Sequence, residues 1–298
     1  MKLYRFKTRR TTCYFPEIKG DEKFLYGIYT PFAVAAKLYW WFFRNCGWFR
    51  NRQLVEQADD EFPYSRLLTM LPVESKVSFC MGTIGPEQKM SMLGIDPKGN
   101  NFFAKFSQRP ASMTLTRNEA KVLRELQGKD IAPSLIDYKE ESDFCFLLTD
   151  YVEGETLKTL KLSSEVVDLA IKVSEKHLEN SEIVVSDLKL GLSHGDFTPW
   201  NILIKDGRLR LIDWEMAEER PLGYDIFTYI TQVNMLFRPN VPVVSEINNY
   251  QGLIIRYFEK LGISDWRRYL EAFAASRAVY AQKKGDNVLE KKMNDLLV

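Results

Sequence analysis

HGDFTPWNILIKDGRLRLIDWE, residues 194–215, is the stretch on which the reading of this chain turns. Two apolar runs with strand character, 201–205 and 208–213, flank the turn Lys205-Asp206-Gly207-Arg208. The Asp-Gly pair favours a tight hairpin, and a hairpin returns Asp213 to the side of Asn201. Asp196 stands five residues before Asn201, so the stretch offers three oxygen-bearing side chains to one site. Magnesium keeps several waters and needs only a few protein oxygens, so one carboxylate and one amide carbonyl can suffice. The bland competitor is a polar hairpin in which Asp196 merely caps a turn.

Composition narrows the possibilities around it. A chain of 298 residues, 45% hydrophobic, can bury a substantial core in one large or two medium domains. With 41 basic against 40 acidic residues, the net charge of +1 argues against a nucleic-acid binder that relies on a broad cationic face and leaves room only for a local patch. Two histidines, His177 and His194, exclude a His-rich metal centre. Cys13, Cys46, Cys80 and Cys145 are far apart and form no CxxC, so four free thiols in a reducing cytosol are expected.

The first residues, MKLYRFKTRRTTCYF, are basic and lack the apolar run of a signal peptide. The most apolar stretch, PFAVAAKLYWWFF (31–43), is too short to span a bilayer and carries Lys37. Two readings of its surroundings stand side by side. Residues 26–50, with Trp40, Trp41, Phe42, Phe43, Arg44 and Arg50, suit peripheral membrane contact. They equally suit a helix packed on the protein or on a partner. A cytoplasmic location, with the inner face of the membrane as its extension, is the expectation.

Residues 1–65 read as an aromatic, basic extension ending in the polar EQADDEF (56–62). Beyond it, VSFCMG (77–82), KMSMLGID (89–96) and NFFAKFS (101–107) predict strands broken by turns at Gly85-Pro86 and Pro97-Lys98-Gly99-Asn100. TRNEAKVLRELQG (116–128) predicts an amphipathic helix closed by Gly128. FCFLLTDYVEGETL (144–157) is a buried strand running into a glycine turn. SSEVVDLAIKVSEKHLE (163–179) predicts a helix whose apolar stripe ends at His177, a core histidine on this reading. From Asp225 onward the pattern is helical, notably 246–262 and 265–284. The predicted fold class is α+β, with an extension at 1–65, a small β-rich lobe at 66–150 and a larger α-helical lobe at 151–298.

The D-x-x-x-x-N spacing of Asp196 and Asn201, followed by IDW where kinases place D-F-G, matches a kinase catalytic loop. A kinase also needs a lysine on the third strand of the small lobe and a glutamate on the helix after it. Lys105 in FFAKFS and Glu119 in TRNEAKVLREL occur in that order. A lone strand lysine is ordinarily solvent-facing; the ordered combination is what carries the inference.

With these motifs the chain resembles the aminoglycoside phosphotransferase and choline kinase superfamily, small-molecule kinases with a protein-kinase-like two-lobed fold. AKF around Lys105, NEAKVLREL, LLTDYVEGETL, HGDFTPWN and LIDWE carry the resemblance, over about 80 to 230. It implies ATP and Mg2+ as cofactors and Asp196 as catalytic base. It further implies Asn201 and Asp213 as magnesium ligands, with Lys105 and Glu119 clamping phosphate. Backbone groups of Asp150, Tyr151 and Val152 would meet the adenine. The glycine-rich loop departs from the pattern: MGTIGPEQKM (81–90) offers only Gly82 and Gly85, which a plain β-turn also explains.

Supporting roles are read from position. His194 is expected to steady the loop by hydrogen bonding, and Asp225 to brace it by accepting backbone N–H groups, unless it only favours the helix dipole. Trp200 and Trp214 are either sugar platforms or packing. Eleven residues (214–224) separate Asp213 from Asp225, and no A-P-E occurs, which leaves little platform for a protein substrate. A small hydroxylated acceptor follows. Arg220, Arg238, Arg256, Arg267 and Arg268 favour a neutral or anionic one, such as a sugar or a glycan- or lipid-linked intermediate. A nucleotide-binding pseudokinase scaffold and an atypical protein kinase are the alternatives.

Overall fold

A computed structural model describes residues 2–8, 11–31, 34–55, 64–178 and 187–297. The chain divides into two compact units, residues 1–120 with 134–151, and 121–133 with 152–298. One is built on a large antiparallel sheet and the other is mainly helical, the α+β division expected of a protein-kinase-like fold.

The first unit holds β1 (Leu3–Lys7), β2 (Thr12–Phe15), α1 (Val34–Asn45), α2 (Gly47–Asn51), β3 (Leu54–Val55) and α3 (Tyr64–Met70). It continues with β4 (Lys76–Met81), β5 (Met90–Ile95), β6 (Asn101–Ser107), most of α4 (Pro110–Glu125, whose residues from 121 belong to the second unit), β7 (Leu135–Glu141) and β8 (Phe144–Asp150). Its sheet has eight strands in the order β3-β1-β2-β4-β5-β6-β8-β7. The strands β1, β2 and β3, which fall within the extension expected at 1–65, are part of the same sheet. The polar 56–62 stretch lies outside the described residues.

Alternation along β2 explains why that extension is integral. Cys13 and Phe15 face one buried cluster with Trp40 and Phe43 of α1. Tyr14 faces the other, with Phe79, Met92 and Phe146. Period-two burial on both faces leaves no solvated side to peel away. At the far edge, β7 carries mostly exposed residues, Lys139, Glu140 and Glu141 among them. Charge on an edge strand blocks further pairing, and it also hides the strand from a search for apolar alternation.

Two expectations are corrected here. Cys13 and Cys80 stand opposite each other on β2 and β4 and form a disulfide, leaving Cys46 and Cys145 as the free thiols. Their sequence separation of 67 gives no hint of cross-strand neighbours. The helix expected over 116–128 is α4, which starts earlier at Pro110. Proline suits the first helical turn, where its missing N–H would have no partner.

The second unit holds β9 (Glu155–Thr156), α5 (Ser164–Ser174), β10 (Leu190–Ser193), β11 (Ile202–Lys205), β12 (Arg208–Leu211) and β13 (Glu218–Pro221). Then follow α6 (Tyr224–Phe237), α7 (Val243–Asn249), α8 (Gln251–Lys260), α9 (Trp266–Lys284) and α10 (Asn287–Asn294). Helix α5 ends at Ser174, short of the expected 179. The chain leaves it to lie along β10, where the Leu192 amide donates to the Lys176 carbonyl at 3.0 Å. His177 is consequently not a core residue: its side chain is mostly exposed and meets Glu219 at 3.2 Å.

Gly94 shows how tightly the sheet is packed. It faces Phe102 across β5 and β6, and a Cβ at Gly94 would lie 2.1 Å from the Phe102 ring. Phe102 is buried. Gly94→Ala is therefore expected to destabilise the protein by about 1–3 kcal/mol, read as a lower urea midpoint at unchanged slope.

Candidate active site

In the helical unit the site is built on a loop held from beneath. Asp225, in the first turn of α6 and 2% exposed, accepts from the Ser193 hydroxyl at 2.7 Å. It also accepts from the His194 amide at 2.8 Å and the Gly195 amide at 3.1 Å. The expected bracing role is what the structure contains, and the helix N-terminus favours the same charge. Ser193 is a member that sequence reading passed over, because a serine at a strand end carries no signal of its own. Its Oγ also accepts from the Gly195 amide at 3.1 Å.

Gly195 is required twice over. Its φ of 80° lies in the left-handed region, and a Cβ there would sit 2.2 Å from the Met216 carbonyl oxygen. His194 is fully buried, and its Nε2 lies 2.9 Å from the Ile212 carbonyl. Because a carbonyl only accepts, Nε2 carries the proton. His194 thus ties the loop that carries Asp196 to the far strand of the hairpin.

The hairpin forms as expected. β11 and β12 pair from Ile202↔Leu211 to Lys205↔Arg208. Asp206 and Gly207 both take positive φ at its turn, as the tightest hairpin turns require. The ladder continues with the Ile212 amide on the Asn201 carbonyl at 3.0 Å, which sets Asp213 beside Asn201. Asp213 itself is left-handed, φ 70° and ψ 58°, an unusual conformation for a residue with a Cβ. Asn201 donates through Nδ2 to the Asp196 carbonyl and to Asp196 Oδ2, each at 2.9 Å. With Nδ2 so engaged, Oδ1 is the atom left to a cation. A carboxylate at 213 and an amide oxygen at 201 form a donor set that fits Mg2+.

Burial pushes the Asp196 carboxyl above the ordinary aspartate range, and the charge of Asp213 adds to the effect. His194, the Asn201 amide and Arg277 pull the other way without overcoming it. Arg277, on α9, makes the smallest of these contributions, and it is not among the arginines that the sequence brings forward. The arginines that were singled out are engaged locally. Arg238 pairs with Glu246, Arg256 with Asp168, Arg220 with Glu218 and Arg268 with Asp187. Arg267 lies over Trp266. Trp214 is packing: it is fully buried, its indole N–H donates to the Leu211 carbonyl, and its ring lies 4.7 Å from His194.

In the sheet unit, Lys105 on β6 and Glu119 within α4 are each 3% exposed and meet at 2.5 Å. A buried ion pair costs desolvation and contributes little net stability, so its presence calls for another reason. Gly82 donates its amide to the Lys89 carbonyl at 2.8 Å, and Arg109 holds the Gly85 carbonyl at 2.6 Å. Those glycines close a hairpin loop; the Gly82 N–H is committed to that closure. Asp150 accepts the Ser134 amide at 2.6 Å, and the Tyr151 amide donates to the Asn101 carbonyl at 3.3 Å. Val152 is buried and opens the chain's return to the helical unit.

Comparison with known proteins adds the following. Residues 173–272 match the model of the phosphotransferase enzyme family, APH. A relative from Archaeoglobus fulgidus, described as a probable serine/threonine-protein kinase and BUD32 homologue, is 23% identical over 137 residues. The match takes 43% of this chain and 61% of that protein, so the chain spans under two thirds of this relative's length. Among solved structures, Plasmodium vivax ethanolamine kinase is 12% identical, covers 74% of this chain and 80% of its own, and has a TM-score of 0.49. A thermostable mutant of aminoglycoside phosphotransferase APH(4)-Ia, in ternary complex with ADP and hygromycin B, is 14% identical at a TM-score of 0.48. It covers 73% of this chain and 92% of its own. The segment that matches the phosphotransferase family model contains Asp196, Asn201, Asp213 and Asp225.

Two outcomes follow for variants of the helical unit. Asp196→Asn removes a charge that the folded state disfavours, so the metal-free protein should melt at a higher temperature than the parent. Because the folded-state pKa is raised, the parent's disadvantage is present at neutral pH. It fades on acidification as the folded carboxyl takes up its proton, and is gone near the unfolded aspartate's value of about 3.9. Thermal melts of both proteins across that pH range in a chelator check the sign. Asp225→Ala leaves buried donors of the loop without an acceptor and should cost about 3 kcal/mol or more in chemical denaturation.

Proposed function

We propose that this protein transfers the γ-phosphate of ATP to a hydroxyl of a small molecule, with Asp196 as the base. The observation that carries the reading is the Asp196–Asn201 pair on a loop braced by Asp225, with Asp213 returned beside it. The match of residues 173–272 to the phosphotransferase family supports it. Such reactions ask little covalent chemistry of the protein and much positioning and charge neutralisation.

In the step proposed, the acceptor hydroxyl oxygen attacks the γ-phosphorus and its proton passes to the Asp196 carboxylate. The new O–P bond forms as the bond between the γ-phosphorus and the β–γ bridging oxygen breaks, and ADP leaves. A carboxyl whose pKa is raised by burial is the better proton acceptor near neutral pH. Mg2+, when bound, would neutralise phosphate charge, held by Asn201 Oδ1 and the Asp213 carboxylate. Lys105 would contact the α- and β-phosphates, oriented by Glu119, and backbone groups at 150–152 would meet the adenine. Gly82 and Gly85 would shape the loop over the phosphates and supply little direct binding, given the engaged Gly82 amide.

The acceptor we infer is a sugar or a glycan- or lipid-linked intermediate, handled on the cytoplasmic side with residues 26–50 toward the membrane. The segment after Asp213 supports a small acceptor. Residues 214–216 form a single helical turn, and β13 pairs with β10 before α6 begins, so no free segment remains to form a peptide platform. A second reading, an atypical protein kinase, draws on the archaeal relative.

Radiolabelled ATP offered with Mg2+ and pooled sugars, amino alcohols, glycan lipids and peptides tests both. Label should appear in a small-molecule pool with the parent and fall about 10²–10⁴-fold in Asp196→Ala. Lys105→Met should lower transfer and also lower stability by about 3–5 kcal/mol, because Glu119 is left buried without its partner; circular dichroism at the assay temperature checks that the variant is folded when transfer is measured. Nucleotide binding without transfer to any pool would leave a scaffold; label in the peptide pool alone would establish the second reading.

A further inference from the structure

Helix α1 is apolar on both sides. Trp40 and Phe43 are buried against β1 and β2. The other side shows Val34, Leu38 and Trp41 at helical spacing, with Leu38 58% and Trp41 55% exposed. Phe42 adjoins them, and Trp48 of α2 is 62% exposed. Scattered exposed apolar residues are ordinary, but a contiguous group containing two tryptophans is not. No helix among the described residues is long and apolar enough to cross a membrane.

Between Glu22 and Glu56 the sequence carries charge of one sign. From Phe24 to Val55 the sequence holds Lys37, Arg44, Arg50 and Arg52 and no Asp or Glu. Arg44 lies 5.0 Å over the Tyr26 ring and Arg52 lies 5.3 Å over Trp48, cations held against the aromatic surface they border. Beside the patch is a cavity of about 640 Å³. Tyr29, Trp40 and Trp41 contribute to its wall together with Lys23, Lys37 and Arg44, and no carboxylate among the described residues lines it. Among the described residues, none of these three cations is in an ion pair. Exposed tryptophan beside unneutralised lysine and arginine is the composition of a surface for an anionic lipid interface, where the ring enters the headgroup layer and the cations meet phosphate.

We propose that the exposed face of α1 and α2 docks on an anionic bilayer, with Leu38, Trp41, Phe42 and Trp48 entering the interface. The adjacent cavity takes a phosphate-bearing headgroup between Lys23, Lys37 and Arg44. This rests on the membrane-proximal half of the proposed function and not on its phosphoryl-transfer half. The whole patch belongs to the sheet unit.

Flotation of the full chain with phosphatidylcholine vesicles, with and without phosphatidylglycerol, tests it. Binding is expected only with phosphatidylglycerol, with a blue shift of tryptophan emission and weakening as salt is added. Trp41→Ser with Trp48→Ser should weaken binding by about tenfold or more and remove most of the blue shift. Lys37→Glu with Arg44→Glu should weaken it about thirtyfold or more. These four side chains are exposed, and unchanged melting curves verify that the variants fold. The salt and lipid dependence of the unaltered protein decides the matter even if they do not. Equal binding to both vesicle types, no binding to either, or binding of free glycerol phosphate alone would overturn the proposal. Asp196→Asn should float like the parent, so a failed phosphotransfer assay leaves this result standing.

Discussion

Everything proposed for the helical unit depends on one buried carboxylate. Asp225 gathers the Ser193 hydroxyl and the amides of His194 and Gly195, fixing the backbone from which Asp196 projects. A buried charge is tolerated only when it is well hydrogen-bonded, and here those bonds are also the loop's own backbone partners. The arrangement works because Gly195 can take a positive φ and lie against the Met216 carbonyl. The loop and the segment after Asp213 therefore constrain each other directly, and His194 adds a second link through the Ile212 carbonyl.

The sheet unit contains a comparable constraint of opposite chemical origin. Lys105 and Glu119 are shut away from water in a setting where two apolar residues would serve stability as well or better. Such a pair is understandable when the lysine must hold one orientation for an anion. Under the proposed phosphoryl transfer that anion would be a phosphate of the nucleotide.

The loop at 82–89 and the arginine count show where composition misleads. Gly82 and Gly85 suggest phosphate binding by type, yet one amide closes its own hairpin and one carbonyl is held by Arg109. Five arginines suggest a neutral or anionic acceptor, yet four are paired with near neighbours and one lies on a tryptophan. Arg277 acts on Asp196 from a helix far along the chain. Charge matters by its distance and its partners, and neither is a property of a residue count.

By itself the sequence determined the hairpin, its Asp-Gly turn, the strands at 77–107 and the order of Lys105, Glu119, Asp196, Asn201 and Asp213. These rest on local backbone preferences and short spacings, which neighbouring residues largely fix. Only the tertiary structure decided that residues before 65 complete the sheet, that Cys13 bonds Cys80, and that His177 faces solvent. It also decided where α5 stops and that the charge of Arg277 acts on Asp196. Each of these depends on contacts between residues distant in the chain, and the charged edge strand β7 shows that pairing can proceed with little apolar signal at all. Chain-local chemistry writes the motifs, while long-range packing determines what surrounds them.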